Sequence, residues 1–235
     1  MTSAEMQEMF LVLYDKITNF SAPGYEDDEI SMFLTKAQER IFYNYYNVLG
    51  NKFQIGFEAS EARRKELANL VEGITLTVPS ANQANALPNG VFFDLPEDCL
   101  FSISEEITLN SKDICLNNKR IRIKPMSHDE YSINIKNPFK RPDKDLAWRL
   151  DYNDNRHEII VPQGTTVGAY HLRYIKRLTP IITGAFTLRG ILGPLDSILD
   201  EFLHERIIDE AVKMASAVTD PQNYEIKTLE QKQGE

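Results

Sequence analysis

The apolar residues of this chain change their period twice, and that change limits the folds open to it. From Ser3 to Ile17 they fall at helical spacing (Met6, Met9, Phe10, Leu13, Ile17), with Ser3 placed to cap. A second helix is predicted over 26–48, with Ile30, Phe33, Leu34, Ala37, Ile41, Tyr45 and Val48 as its stripe and the acids of "EDDE" in its first turn, where the helix dipole favours them. A third runs from Ser60 to Glu72 and is stopped by Gly73. From residue 74 to 178 the period becomes two, the mark of half-buried strands. Helical spacing returns over 195–218 (Leu195, Ile198, Leu199, Phe202, Ile208, Ala211, Val212, Ala215). A lone helix cannot bury such a stripe, so it is expected to fold back onto the first three.

The β-region reads as about seven short strands, spaced as in a sandwich or an open barrel. They are drawn from eight segments: "ITLTVP", the pair "VFFDL" and "FSISEEITLN" cornered by Pro96-Glu97-Asp98, then "DICL", "KRIRIKP", "LAWRLDY", "HEIIVP" and "TTVGAYHLRYIKRL". A short helix, "SHDEYSINI", carries a capping box of Ser127 and Glu130. The expected fold class is α+β: a helical bundle of three N-terminal helices and the C-terminal helix, with an inserted antiparallel β-sandwich or open barrel. The expected division is 1–77 helical, 78–178 β-rich, 179–220 connector and returning helix, and 221–235 a polar tail.

Charge follows the same division. The net charge is −9, made of −5 over 1–77, +1 over 78–178 and −5 over 179–235. Acidic ends around a balanced middle suit docking in a fixed orientation and argue against sequence-specific DNA reading, which uses a strongly basic domain. No apolar run approaches the roughly 18 residues of a membrane span. The opening "MTSAEMQEMF" has no basic n-region, so no secretory signal is expected. The two cysteines, Cys99 and Cys115, fit no metal spacing and are expected as reduced thiols.

The chemical motifs tested each break. "DYNDNRHE" begins like a calcium loop at Asp151, Asn153 and Asn155. Arg156 then stands where the turn needs Gly, and Pro162 where a bidentate Glu belongs. A hairpin turn explains it instead. "HEIIV" and "HERII" each lack the second His of a zinc helix, and His204 is expected at a surface or interface. No nucleophile elbow, phosphate loop or dinucleotide fingerprint is present. No catalytic residue, cofactor site or metal site is assigned.

Two features point to partners. Arg120, Arg122 and Lys124 alternate with Ile121 and Ile123; Arg149 lies opposite Trp148 and Leu150; His171, Arg173 and Arg177 share a parity. A basic strand face results, facing water, an acidic neighbour or nucleic acid. In "RIFYNYYNVL", Phe42, Tyr43, Tyr45 and Tyr46 cover most of the helix circumference, so some are expected to contact another copy. In the tail, Tyr224, Ile226 and Leu229 are candidate anchors on a neighbour.

In order, "FLTKAQERIFYNYY", "SEARRKELANLV", the Leu-Pro-acid corner of "FDLPEDCLFSISEEI" and "LDSILDEFLHERIIDEAVKMA" resemble the tail-adaptor or ring proteins of the head–tail connector of short-tailed bacteriophages, most closely the crAss-like phages. The last segment carries His204, Glu205, Ile208, Ala211, Val212 and Ala215 at that family's positions. The resemblance covers residues 25–218. It implies a virion protein at the head–tail junction, made in the host bacterial cytoplasm, that closes into a ring of about twelve copies. Its implied partners are the portal protein and adjacent tail or ring proteins, with genomic DNA passing through the channel, no membrane and no catalysis. An accessory virion protein binding nucleic acid through the basic β-face is the alternative.

Overall fold

The computed structural model describes residues 1–18, 24–47, 60–152 and 155–219. In chain order the elements are α1 (Ser3–Thr18), α2 (Asp27–Tyr46), α3 (Glu61–Glu66), β1 (Val71–Leu76), β2 (Gly90–Asp94), β3 (Cys99–Ser111), β4 (Arg120–Pro125), α4 (His128–Asn134), β5 (Leu146–Asp151), β6 (Arg156–Ile160), β7 (Thr165–Lys176), β8 (Thr187–Leu188), β9 (Ile191–Leu192) and α5 (His204–Thr219). They form two units, Met1–Leu70 with Leu178–Glu235, and Val71–Arg177. The fold is α+β with an inserted sheet.

In the helical unit, α1 buries Met6, Phe10 and Tyr14 at four-residue spacing, and α5 buries Ile207, Ile208, Ala211, Val212 and Ala215. The returning helix packs on both α1 and α2, as its unshared stripe requires. It starts later than its apolar spacing suggests. Leu195 is extended, bridged to Ile182 by two backbone hydrogen bonds (2.9 and 2.8 Å), and Asp200 caps a 3-10 turn through the Phe202 N–H (3.2 Å). Phe202 therefore leaves the stripe and is 81% exposed. The third helix is also shorter than expected. It ends at Glu66 with none of its residues buried, and Gly73 lies inside β1 instead of ending a helix.

Helix α2 is buried on two faces. One is the apolar stripe of Ile30, Leu34, Ala37 and Ile41. The other is polar: Ser31, Thr35 and Gln38 hold the chain that returns from the sheet. Thr35 donates to the Ile181 carbonyl (3.3 Å) and accepts from its N–H (3.1 Å). Ser31 accepts from the Thr183 N–H (3.1 Å). Gln38 donates to the Thr179 carbonyl (2.8 Å) and accepts from Ser197 (2.6 Å). Backbone without a strand partner thus finds side-chain partners along a helix. After this ladder, Arg189 (φ 52°) and Gly190 (φ 83°) make the two-residue left-handed turn that joins β8 to β9.

The inserted unit is one sheet of seven strands in the order β1-β7-β3-β4-β5-β6-β2. All pairs are antiparallel except β4 with β5, which the crossover through α4 makes parallel. The segment "DICL" is a turn and not a strand, with Asp113 accepting from the Cys115 N–H (3.0 Å). The predicted capping box of α4 is present. The sheet is curled. A flat sheet with strands about 4.8 Å apart would hold β7 and β2 roughly 24 Å apart. The Phe93 ring of β2 instead lies 5.4 Å from the Tyr170 ring of β7. The corner after Leu95 carries the chain from the β2 edge into the middle of the sheet, where Asp98 accepts from the Arg177 N–H (2.7 Å) and the Tyr174 hydroxyl (3.1 Å). At the β2 edge the Gln83 amide acts as a short extra strand, accepting from the Phe92 N–H (2.9 Å) and donating to its carbonyl (3.1 Å).

Gln38→Leu leaves the Thr179 carbonyl and the Ser197 hydroxyl without their partner. It is expected to lower unfolding free energy by about 1–3 kcal/mol, whereas Lys36→Ala on the exposed face of α2 changes it by less than about 0.5 kcal/mol. Urea titration followed by far-ultraviolet circular dichroism measures both.

Candidate assembly surfaces

The strands place three kinds of surface. The first is the concave face of the sheet. It is lined by Phe93, Ile107, Leu109, Ile121, Ile123, Ala147, Ile159, Tyr170 and Leu172, and a polar network crosses it. Glu105 of β3 is ion-paired with Arg149 of β5, with the two side chains only 6% and 12% exposed. The Tyr170 hydroxyl donates to Glu105 (3.1 Å) and meets His157 Nδ1 at 2.9 Å. The other ring nitrogen of His157, Nε2, lies 3.4 Å from Asp151 Oδ1. Burial, with Arg149 nearby, pushes the His157 pKa down to about 4, so the ring is neutral at neutral pH. Burial pushes the Glu105 pKa up, opposed by Arg149 and the Tyr170 hydroxyl.

Arg149 therefore does not belong to the basic face on which the sequence reading placed it. Strand β5 is covered on both sides, so its alternation separates two interiors. Trp148 and Leu150 face the outer cluster with Ile160, Tyr131, Ile135, Leu87 and Met126, and Arg149 faces the concave side. The Tyr131 ring meets Trp148 edge-on at 6.1 Å.

The second surface is the convex face of β4, β3 and β7. Arg120, Arg122, Lys124 and Arg173 are exposed there. Arg120 pairs with Glu106 (2.8 Å), and His171 lies between Thr75 (2.9 Å) and Thr108 (3.0 Å). Arg177 lies at the corner instead, donating to the Cys99 carbonyl (3.5 Å). Cys99 is buried with its thiol pKa pushed up to about 11 by burial, Cys115 is exposed, and both are free.

The third surface is the end of α2. Phe42 is fully buried and cannot reach another copy; Tyr46 stacks on it at 5.9 Å. Tyr45 accepts from Arg206 and lies under the Arg63 guanidinium (5.2 Å). Burial, followed by the Glu66 charge, raises its pKa. All four aromatics thus have contacts within their own chain, Tyr43 meeting the Phe42 ring edge-on at 5.4 Å. Tyr43 alone of the four is largely open, at 48% exposure. Tyr224, Ile226 and Leu229 lie outside the described residues. His204, expected at a surface, is buried and bonded to the Leu199 carbonyl (3.1 Å).

Several other apolar side chains are more exposed than Tyr43. Phe139 is 96% exposed, and Ile133, Ile114, Leu192 and Phe202 are also open. For Phe139 the signal was an apolar residue that belongs to no period, the Phe of "KNPFKRP". Among the described residues no group of His, Cys, Asp or Glu could hold a metal ion, and no helix is long and apolar enough to cross a membrane.

The model of the phage tail ring protein 3/4 family matches residues 1–225. The chain belongs to that family. It is 33% identical over 226 residues to "Ring protein 4/5" of Bacteroides phage crAss001, covering 91% of each chain. It is 28% identical over 220 residues to "Ring protein 3" of the same phage, covering 92% of this chain and 95% of that protein. As a member of the family, the chain is a structural protein of a bacteriophage.

The interior network has a pH signature. Unfolded His157 titrates at its ordinary value near 6.5 and folded His157 at about 4, so the unfolded state binds the extra proton between those values. The stability held above pH 6.5 is therefore lost as pH falls toward 4. The raised Glu105 pKa works the other way, favouring the folded state as pH falls toward 4.5. His157→Gln is expected to flatten the fall in urea midpoint between pH 6.5 and 4.5, removing about 1–3 kcal/mol of pH dependence.

Proposed function

We propose that this chain forms a ring in the head–tail connector of a phage particle, between portal and tail, with the genome passing through its channel. Family membership over residues 1–225 carries this reading. The uneven charge supports it. The helical unit holds 12 Lys and Arg against 21 Asp and Glu, a net −9, while the sheet unit holds 14 of each and is neutral. Copies with unlike ends dock head to tail, and such contacts close into rings when the rotation per copy divides the circle. A net-negative ring also repels phosphate, so DNA slides through it without being gripped. On this reading the protein is made in the host bacterial cytoplasm, takes its place at the head–tail junction beside the portal and other ring or tail proteins, needs no cofactor and catalyses nothing. The resemblance implies about twelve copies in the ring.

Electron microscopy of the purified chain and of whole particles tests the ring. Closed rings of one cyclic symmetry are expected; open filaments or monomers in both preparations would remove the reading. Deleting residues 221–235 is expected to weaken the joining of neighbours, since Tyr224, Ile226 and Leu229 would anchor the tail on an adjacent copy or ring. Unchanged assembly of the truncated chain would make the tail dispensable.

The four exposed cations Arg120, Arg122, Lys124 and Arg173 favour the second reading, an accessory protein that binds nucleic acid. Salt separates the two readings. Phosphate binding through four cations loses affinity with a slope of roughly −3 to −4 in log–log form. The ring reading expects no measurable duplex binding at physiological salt.

A further inference from the structure

Phe139 has no structural reason to be where it is. It sits in the loop after α4, beyond the apolar cluster that α4 covers, and is almost wholly exposed. The loop around it is held in shape. Asn137 accepts from the Phe139 N–H through its side chain (3.0 Å) and from the Lys140 N–H through its carbonyl (3.1 Å). Arg141 Nε donates back to the Ile135 carbonyl (2.8 Å), and Pro138 and Pro142 restrict the backbone on either side. Lys136, Lys140 and Arg141 flank it in sequence and are exposed. A fixed turn presenting an aromatic ring among cations is a docking knob: little order remains to be lost on binding, and the ring supplies a large apolar area.

The helical unit carries a matching surface. A shallow depression of about 520 Å³ is lined by Glu26, Asp27, Asp28 and Phe186. Phe186 supplies an apolar floor and the three acids a negative rim. Asp27 is held in place by Gln7 (2.5 Å), and Thr183 donates to its carbonyl (3.2 Å). All net charge of the chain lies on this unit, whereas the knob loop is locally basic.

We propose that loop 136–141 seats on the helical unit of a second copy of this chain, with Phe139 against Phe186 and Lys140 and Arg141 facing Glu26 and Asp28. The contact is heterologous, knob to depression, and leaves each copy with one knob and one depression free for the next. It rests on the ring reading and names the surfaces that join the copies.

Disulfide trapping tests it in the full chain with Cys115→Ser. Pro138→Cys combined with Ala185→Cys, which leaves both rings in place, is expected to give a ladder of linked oligomers on mild oxidation, while each single variant stops at dimers. Lys140→Glu with Arg141→Glu, or Asp28→Lys alone, is expected to cut the ladder about tenfold, and the three together to restore it. Unchanged circular dichroism shows that the variants fold. A ladder no greater than in the single-cysteine controls overturns the proposal. So does a ladder indifferent to the charge reversals, or a shifted monomer showing that the two positions meet within one chain. Loss of duplex DNA binding in the Lys140/Arg141 variant with cross-linking unchanged would make the loop a DNA contact instead. If Phe139→Ala forms rings as readily as the unaltered chain, this contact fails while the ring reading stands.

Discussion

The antiparallel pairing of β1 with β7 is the constraint on which the rest of the chain depends. Val71 opposes Ile175, so the strand that enters the inserted unit and the strand that leaves it are hydrogen-bonded neighbours. Closing a loop of roughly a hundred residues costs on the order of 4 kcal/mol in chain entropy. The β1–β7 ladder meets that cost inside the sheet, so the helices need not. A few residues after the exit, Thr179, Ile181 and Thr183 are taken up by Gln38, Thr35 and Ser31 of α2. Hydrogen bonds to α2 thus fix the course of the returning chain ahead of α5, which packs on α1 and α2.

Within the sheet, curvature and side-chain chemistry support each other. Strand β3 breaks register with β7 at Cys99/Phe101, Ser102/Ser104 and Thr108/Leu109, which places irregularities on both sides of Glu105. Bulges of this kind bend a strand and sharpen its twist. The bend brings together Glu105 on β3, Arg149 on β5, His157 on β6 and Tyr170 on β7, which a flat sheet would keep apart. A buried ion pair contributes little net stability over a well-packed apolar replacement, because desolvating both charges offsets their attraction. Its effect here is selective. A sheet that failed to curl would leave a guanidinium and a carboxylate in an apolar face without each other, a state far costlier than either alternative.

The spacing of Ser127 and Glu130 made the capping box of α4 legible in sequence, and the period of the apolar residues did so for the inserted sheet and the return of α5. It misled where an element is covered on both sides. On β5 the cation at Arg149 reads as a surface residue until α4 is seen to cover Trp148 and Leu150. On α2 the aromatics read as surplus until the connector and Arg63 are seen to occupy the remaining faces. Periodicity reports how many faces are apolar, not which neighbour supplies the cover. The ladder of Ser31, Thr35 and Gln38 was hidden for the converse reason, since three polar residues on one helix face look solvated. The late start of α5 was hidden because Leu195, Ile198 and Leu199 keep helical spacing in a segment that pairs as extended chain. Phe139 was passed over because pattern reading discards residues that fit no pattern.

Those unpatterned residues bear on how one fold can serve more than one ring. The chain matches two differently named ring proteins of a single phage at 33% and 28% identity over nearly its whole length. A curled sheet inserted into a helical unit is a poor basis for telling neighbours apart when those neighbours are built alike. Discrimination between similar partners requires surfaces that fit one and clash with, or fail to pair with, another. Core residues cannot provide it, because they face inward in every copy. Loop tips can change with little effect on folding, and a rigid turn with an aromatic centre and charged flanks concentrates binding energy in a few side chains. On the proposed loop contact, the sheet network would hold the loops at fixed positions and the loops would select which copy comes next.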